Sequence, residues 1–368
     1  MSRGTFSRHP SRYPASYPQS LREGFGAYVW DVEGRRYVDL VQGLAGVGVL
    51  GHNDLAIREA LFSVRGSLFH LPYFEEEVIS QKLLEFLELP FAQAVRWCLN
   101  GTDATAGAVR LARAVTQNKR VVTFEGAYHG ASGADWFAVG REPARGIDTD
   151  GVIAPTVLAW NDTKELSELN SLGIKDIYAA LIFEVADTAP TTSFVQAMHD
   201  FCERSGCILI ADEVVTGFRL HKNGACGLYG IKPHLACYGK ALGSGFPVAA
   251  LVGTQGLMRE FDLEFTNEPV FMSYTHAANT YSLLAVKATL DRLQDGEVIE
   301  EVWTAGNKLM WNFMQAIPQA LSEIAYQTGQ PPRHNWRFRT TVGCSESALL
   351  ALFQQEMARH RVLVGVTN

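Results

Sequence analysis

Four short stretches of this chain carry side chains whose types and spacing could do chemistry. In LIADEVVTGFR (209–219), Asp212 and Glu213 close an apolar run. An acid at the end of a buried strand lies at the carboxyl edge of its sheet, where α/β proteins place ligands. Adjacent strand residues point to opposite faces, so one carboxylate can enter a cleft while the other makes a structural bond. In YGKALGSGFPVAALVG (238–253), Lys240 precedes a glycine-rich turn in a mostly apolar setting. Burying a charged ammonium is costly, so its pKa falls and the free amine becomes a nucleophile. NGTDATAGAVRLARAVT (100–116) opens a helix with Gly101, Thr102 and Asp103. Free N–H groups, the helix dipole and the threonine hydroxyl suit a phosphate there. FEGAYHG (124–130) follows a strand and offers Tyr128 and His129 for stacking on a flat ring. Each stretch also has an ordinary reading: a strand-end acid capping a loop, a solvated lysine, a plain N-cap, turn packing. Their order along one chain favours the chemical one.

These side chains need a scaffold, and the pattern around them supplies it. Short β-rich runs alternate with helical periods: AVRWCL (94–99) and a helix over 102–116, then RVVTF (120–124), TVLAW (156–160) and AALIFEV (179–185). A helix over 194–205 leads into CILIADEV (207–214), which is apolar until the acids, as a strand covered on both faces should be. The alternation predicts a mostly parallel sheet sandwiched by helices. Before it, residues 26–40 read as a hairpin turning at Glu33-Gly34, followed by a helix capped by Asn53 or Asp54. After Pro269 come a long helix over 280–293 and a smaller mixed region. The expected division is an arm and part of a small domain over 1–60, a large cofactor-binding domain over 61–285, and a C-terminal small domain, incomplete, over 286–368.

Composition limits the choices. With 368 residues, 47% of them hydrophobic and 19% charged, the chain has the make-up of a packed protein of one or two domains. A net charge of −7 and no long basic run argue against nucleic acid as a partner. The six cysteines show no CxxC or CxxH spacing, which argues against zinc and a disulfide framework and suits the cytoplasm. His70, His129, His199, His221, His234 and His276 show no paired spacing for a metal either. No run is apolar enough to span a bilayer. Arg3, Arg8 and Arg12 could belong to a transit peptide, but Pro10, Pro14 and Pro18 would break its helix, so an arm lying on the body is expected.

Taken in order, the motifs resemble those of the class III aminotransferases, fold-type I enzymes that use pyridoxal phosphate, and especially the glutamate-1-semialdehyde aminomutase branch. The resemblance runs from about Gly24 to about Leu290. GFGAYVWDVEGRRYVDL and LGH (50–52) resemble the entry hairpin of that family, and NGTDATAGAVRLAR its phosphate loop. FEGAYHG resembles its aromatic turn, DEVVTGFR its pyridine-binding strand, GKALGSGFPVAA its lysine loop, and SYTHAANTYSLLA (273–285) a segment that reaches a neighbouring subunit. The resemblance implies that Lys240 holds the cofactor as a Schiff base and moves protons, and that Asp212 pairs with the ring nitrogen. It implies that Gly101 and Thr102 hold the phosphate, that Tyr128 stacks on the ring beside His129, and that Val214 packs on the other face. Thr275 of a second copy would complete the phosphate cradle, making the enzyme a homodimer acting on small amines and carbonyl compounds. Glu184 keeps the acid of a Glu-Pro pair, with Val185 where proline is usual. Val215 stands where many relatives have glutamine, as in the aminomutase branch.

The leading expectation is an aminotransferase, because the loop 186–192 departs from the mutase pattern. An intramolecular aminomutase is the first alternative. A truncated or non-catalytic paralogue is the second, because the chain stops at RVLVGVTN (361–368), short of the family's usual end. A remote third is an NAD-dependent dehydrogenase: Gly46, Gly48 and Gly51 fit GxGxxG, and Glu75–Glu77 lie near the distance of a ribose-binding acid. Arg22 and Arg219 are candidate binders of a substrate carboxylate.

Overall fold

In the computed structural model, which describes residues 9–66, 71–131, 153–171, 175–341 and 343–365, the chain enters as an antiparallel meander. Its strands are β1 (Leu21–Phe25), β2 (Tyr28–Asp31) and β3 (Arg36–Asp39). The expected hairpin is the β2–β3 pair, with Tyr28 opposite Val38. Asp31 sets its turn by accepting from the amides of Glu33 at 3.0 Å and Arg35 at 2.8 Å, the self-bonding that suits aspartate to turns. Helix α1 (Leu55–Phe62) starts as expected at Asp54, whose carboxylate accepts from the Ala56 and Ile57 amides. Helix α2 (Glu76–Leu87) buries Ile79, Leu83, Phe86 and Leu87, one helical face.

Strands and helices then alternate: β4 (Ala94–Cys98), α3 (Gly101–Thr116), β5 (Arg120–Phe124), β6 (Thr156–Leu158), α4 (Thr163–Ser171), β7 (Tyr178–Phe183), α5 (Thr192–Ser205) and β8 (Ile208–Asp212). After α6 (Gly224–Tyr229) come β9 (Leu235–Tyr238), β10 (Ala249–Gly253) and α7 (Gln255–Met258). The seven strands form one sheet in the order β4-β10-β9-β8-β7-β5-β6. Strand β10 runs antiparallel to both neighbours, and the other adjacent pairs are parallel. Strands β4 and β9 therefore share the direction of β8, β7, β5 and β6.

The period of two along each strand sorts its side chains between two cores. Leu181 and Phe183 of β7, Leu209 and Ala211 of β8, and Tyr238 of β9 pack with the apolar faces of α2, α5 and α8 (Thr280–Leu293). Ala180, Ile182, Ile210 and Cys237 pack on the opposite face with Ala104, Ala108 and Leu111 of α3. Every residue of β7 and β8 is buried, and each large apolar side chain so removed from water contributes about 2 kcal/mol.

Beyond α8 lie α9 (Glu297–Ala316), the hairpin β11 (Ala325–Gln330) and β12 (Arg333–Phe338), α10 (Glu346–Arg359) and β13 (Val362–Leu363). Strand β13 pairs parallel with β3, so both ends of the chain share one four-stranded sheet. The amino-terminal arm lies on this unit, as expected: Tyr13 stacks on Tyr17, whose hydroxyl donates to the Val364 carbonyl, and Ser16 donates to the Gln355 carbonyl at 2.9 Å. Arg3, Arg8 and His70 fall outside the described residues. Among the described residues no helix is long and apolar enough to cross a membrane.

Candidate active site

Five strands that run the same way deliver five groups to one edge of the sheet. After β4 comes the start of α3, with Gly101 and Thr102; after β5, Tyr128 and His129; after β7, Glu184; at the end of β8, Asp212 and Val214; after β9, Lys240. This is the carboxyl edge of the sheet, where backbone loops diverge and leave a crevice.

Asp212 is buried and held from two sides. Its Oδ1 accepts from the Val214 amide at 3.1 Å, and its Oδ2 lies 2.8 Å from His129 Nδ1. With Asp212 as the carboxylate, His129 Nδ1–H is the donor, and Nε2, 3.2 Å from Thr123 Oγ1, is left to accept. The His129 carbonyl accepts from Thr105 Oγ1 of α3 at 2.6 Å. Buried and bonded at both ring nitrogens, His129 is no stacking surface; that part of the expectation is corrected. It sits behind the aspartate and orients it. Tyr128, 56% exposed, stands at the surface instead. Glu213 faces the other way, as alternation requires, and accepts from the Ala225 and Cys226 amides at 2.9 and 2.7 Å. It is the structural acid of the pair.

Helix α3 begins with Asn100, whose Oδ1 accepts from the Asp103 amide at 3.1 Å. The first intrahelical donor to the Asn100 carbonyl is also Asp103, so the amides of Gly101 and Thr102 precede the helical bonds and face the site edge. Space there is tight. A Cβ at Gly101 would stand 2.7 Å from Val214 Cγ1, and one at Gly239 would stand 3.4 Å from the same atom and 3.8 Å from Gly101 Cα. The helix start, Val214 and the residue before Lys240 therefore meet at one point.

Lys240 leaves β9 with φ +45°, a left-handed conformation that costs a non-glycine residue about 1–3 kcal/mol. Burial pushes its amine below the ordinary lysine pKa; Asp212 and Glu184 pull it back up, and Arg333 and Arg219 push it down. Both carboxylates and both guanidinium groups are thus close enough to act on its charge. Donor atoms of His129, Glu184 and Asp212 all lie within 4.8 Å of one another, a cluster invisible to a search for paired histidines.

Glu184 is already engaged. Arg333 of β12 donates to it at 3.2 Å and to the Val185 carbonyl at 2.8 Å, while Asn335 donates to Asp187 at 2.7 Å. These bonds tie the β11–β12 hairpin over the loop after β7. Nothing in the local sequence around PPRHNWRFR marked Arg333, because its partners lie 148 and 149 residues away. Of the two arginines picked out from sequence, Arg22 is exposed and pairs with its neighbour Glu23 at 3.0 Å, so it is set aside. Arg219 is 6% exposed and donates to Gln42. Thr275 is exposed, in the stretch that leads into α8.

The dinucleotide reading does not survive this arrangement. Gly46, Gly48 and Gly51 follow the antiparallel strand β3, not a parallel strand of the large sheet. Gly46 has another reason to be glycine: its φ is +90°, and a Cβ there would stand 2.1 Å from Arg219 Nη1. It clears a path for that guanidinium.

The donor set fits pyridoxal phosphate. A fixed carboxylate suits a protonated ring nitrogen, the head of a 16-residue helix suits a phosphate, and an amine of lowered pKa suits a carbonyl carbon. Comparisons with known proteins agree. A family model described as aminotransferase class III matches residues 12–325. A glutamate-1-semialdehyde 2,1-aminomutase of Desulforamulus reducens is 33% identical over 321 residues, 83% of this chain and 72% of that protein. A solved transaminase with bound pyridoxal phosphate superposes with a TM-score of 0.84 at 25% identity, covering 96% of this chain and 85% of its own. A β-phenylalanine aminotransferase from Variovorax paradoxus shares the fold at a TM-score of 0.83 and 23% identity, covering 98% and 83%. The chain belongs to the class III aminotransferases, enzymes whose cofactor is pyridoxal phosphate.

Proposed function

We propose that this enzyme moves an amino group from a small amine donor to a carbonyl acceptor, with Lys240 as the residue that carries the cofactor and shuttles protons. The observation that carries the reading is the convergence of Lys240, Asp212 and the head of α3 at one sheet edge. Pyridoxal phosphate, when bound, supplies a ring that takes up the charge left when a proton is removed beside the substrate nitrogen. Asp212, its orientation set by His129 and the Val214 amide, is assigned to the ring nitrogen. Gly101 and Thr102 are assigned to the phosphate, and Tyr128 and Val214 to the two faces of the ring. Glu184 is assigned to the rim, where Arg333 holds it. Lys240, as a neutral amine, would take the proton from the substrate carbon and deliver it to the carbon of the cofactor, a transfer that its depressed pKa favours.

Thr275 is assigned to the phosphate of a second copy. The exposure of Phe62, Leu71, Phe74, Val78 and Phe271 supports a homodimer, since apolar surface of this kind is normally covered. Residues 61–285 are proposed as the large domain and the two chain ends as the small one. Six free cysteines are in keeping with a reducing cytoplasm.

The test is the visible spectrum of protein loaded with pyridoxal phosphate, compared with Lys240→Ala. A yellow band that borohydride fixes in the parent and that is absent from the variant supports the reading. A colourless parent contradicts it. Amino donors that bleach the band, with recovery only on adding a carbonyl acceptor, indicate a transaminase. The 33% identity to an aminomutase favours the second reading, in which one substrate carrying both amine and carbonyl is isomerised without an acceptor.

A further inference from the structure

The cofactor chemistry uses none of the six cysteines, yet two of them meet. Helix α5 closes on Gly206, whose φ of +73° is the left-handed turn that glycine adopts most easily, and whose amide donates to the Cys202 carbonyl at 2.9 Å. A helix closed in this way turns a side chain of its last turn toward the residue just past the glycine. Here those two residues are Cys202 and Cys207. Their sulfurs are 3.4 Å apart and share a hydrogen bond. Two apolar side chains would pack this joint equally well, so the paired thiols bring a chemistry that packing does not require.

Ser205 ties the joint together: its Oγ donates to the Phe201 carbonyl at 2.7 Å and accepts from the Cys207 amide at 3.3 Å. Cys202 and Cys207 are themselves buried, but Glu203, Arg204 and Gly206 of the same turn are exposed, so the pair lies close beneath the surface. The two sulfurs are not equivalent. Its hydrogen bond with Cys202 draws the Cys207 thiol below the ordinary cysteine pKa, against burial and with help from Ser205. Burial holds Cys202 well above that value. The thiolate is the nucleophile, so Cys207 is the sulfur that attacks first. Burial pushes the thiols of Cys98, Cys226 and Cys237 upward, which keeps them inert.

We propose that Cys202 and Cys207 are a site of reversible oxidation, at which a small peroxide closes a disulfide between the end of α5 and the start of β8. With hydrogen peroxide, the Cys207 thiolate attacks one oxygen and the O–O bond breaks. The hydroxide that leaves takes up the proton Cys207 gave up and becomes water. Cys207 is then a sulfenic acid, its sulfur oxidised by two electrons and the peroxide reduced by two. The Cys202 sulfur attacks that of Cys207, the S–O bond breaks, and the departing hydroxide takes the Cys202 proton to form a second water. Two thiols and one peroxide become one disulfide and two waters. An added dithiol reverses the step by exchange. Cys207 precedes β8 and Asp212 ends it, about 17 Å further on at about 3.3 Å per residue. The bridge therefore forms away from the crevice and does not depend on the aminotransferase reading.

The test treats the folded, cofactor-loaded protein with near-stoichiometric hydrogen peroxide, blocks the remaining thiols with N-ethylmaleimide in denaturant, and digests without reductant. Trypsin cuts after Arg204, between the two cysteines, so a bridge joins the peptide 176–204 to the peptide 205–219. The expected result is that joined pair, separated again by dithiothreitol, with Cys98, Cys226 and Cys237 modified about tenfold less or not at all. Two variants read the order of the steps without relying on the bridge. In Cys202→Ser, Cys207 should accumulate as a sulfenic acid that a cyclic 1,3-dione traps; in Cys207→Ser, Cys202 should remain a thiol. Circular dichroism matching the parent shows that each variant is folded, and the mapping of the parent stands without them. Thiols at 202 and 207 that survive peroxide in the folded protein overturn the proposal. So does a bridge that forms only in denaturant, or oxidation of the other buried cysteines at the same rate. Equal trapping of Cys202 and Cys207 in the two variants overturns the assignment of Cys207 as the attacking sulfur.

Discussion

At the scale of single residues, two groups decide whether this site can work. Asp212 is useful only as a fixed anion, and His129 donates a side-chain hydrogen bond that fixes it, at 2.8 Å. Hydrogen bonds to charged groups are worth about 1.5–3 kcal/mol. His129→Ala is therefore expected to weaken cofactor binding by about tenfold or more; a spectrophotometric titration with pyridoxal phosphate measures it, and unchanged affinity would mean that the histidine only fills space. Lys240 gives a pH prediction. Its amine reacts only when neutral, so the loading rate of cofactor-free protein should climb as pH rises through the lysine pKa. Because burial depresses that pKa, the climb should come at lower pH than for an ordinary lysine near 10.4. A stopped-flow pH profile indistinguishable from that of a free lysine amine would contradict the burial argument.

At the scale of elements, the site depends on how closely loops can approach. Gly101 heads α3 where Val214 leaves no room for a methyl group: a Cβ would be 2.7 Å from Val214 Cγ1. Gly101→Ala should shift the helix start or Val214 at a cost of about 1–3 kcal/mol. It should raise the dissociation constant for pyridoxal phosphate about tenfold while far-UV circular dichroism stays that of the parent. The same distinction between local pattern and spatial approach explains what the sequence made legible. Strands β7 and β8 could be read because their apolar runs are continuous, and α3 and α8 because their periods are long. Asp212 and Lys240 were legible from their neighbours. Strands β9 and β10 were missed: LACY and AALVG are short, and they flank a glycine-rich turn without alternation. The role of His129 was misread because its partner is 83 residues away. Arg333 had no local signature at all. The glycines at 46, 48 and 51 imitate a nucleotide motif, yet Gly46 serves the passage of Arg219.

At the scale of the whole molecule, the proposed role of Thr275 calls for a second copy. Thr275 is exposed here, near the exposed Phe271, and is assigned to the neighbouring site. Mixing Lys240→Ala with Thr275→Ala protein after mild dissociation should therefore restore activity that each lacks or has in small measure, because one of the two sites in a mixed dimer then has both native residues. Activity no greater than the sum of the separate variants would argue for sites complete within one chain. All these expectations hang on one bond. The most direct measurement is peptide mass mapping of protein loaded with pyridoxal phosphate and reduced with borohydride. The account predicts a single reduced phosphopyridoxyl group on the peptide containing Lys240, absent from Lys240→Ala. Modification spread over several lysines, or none at Lys240, would contradict it.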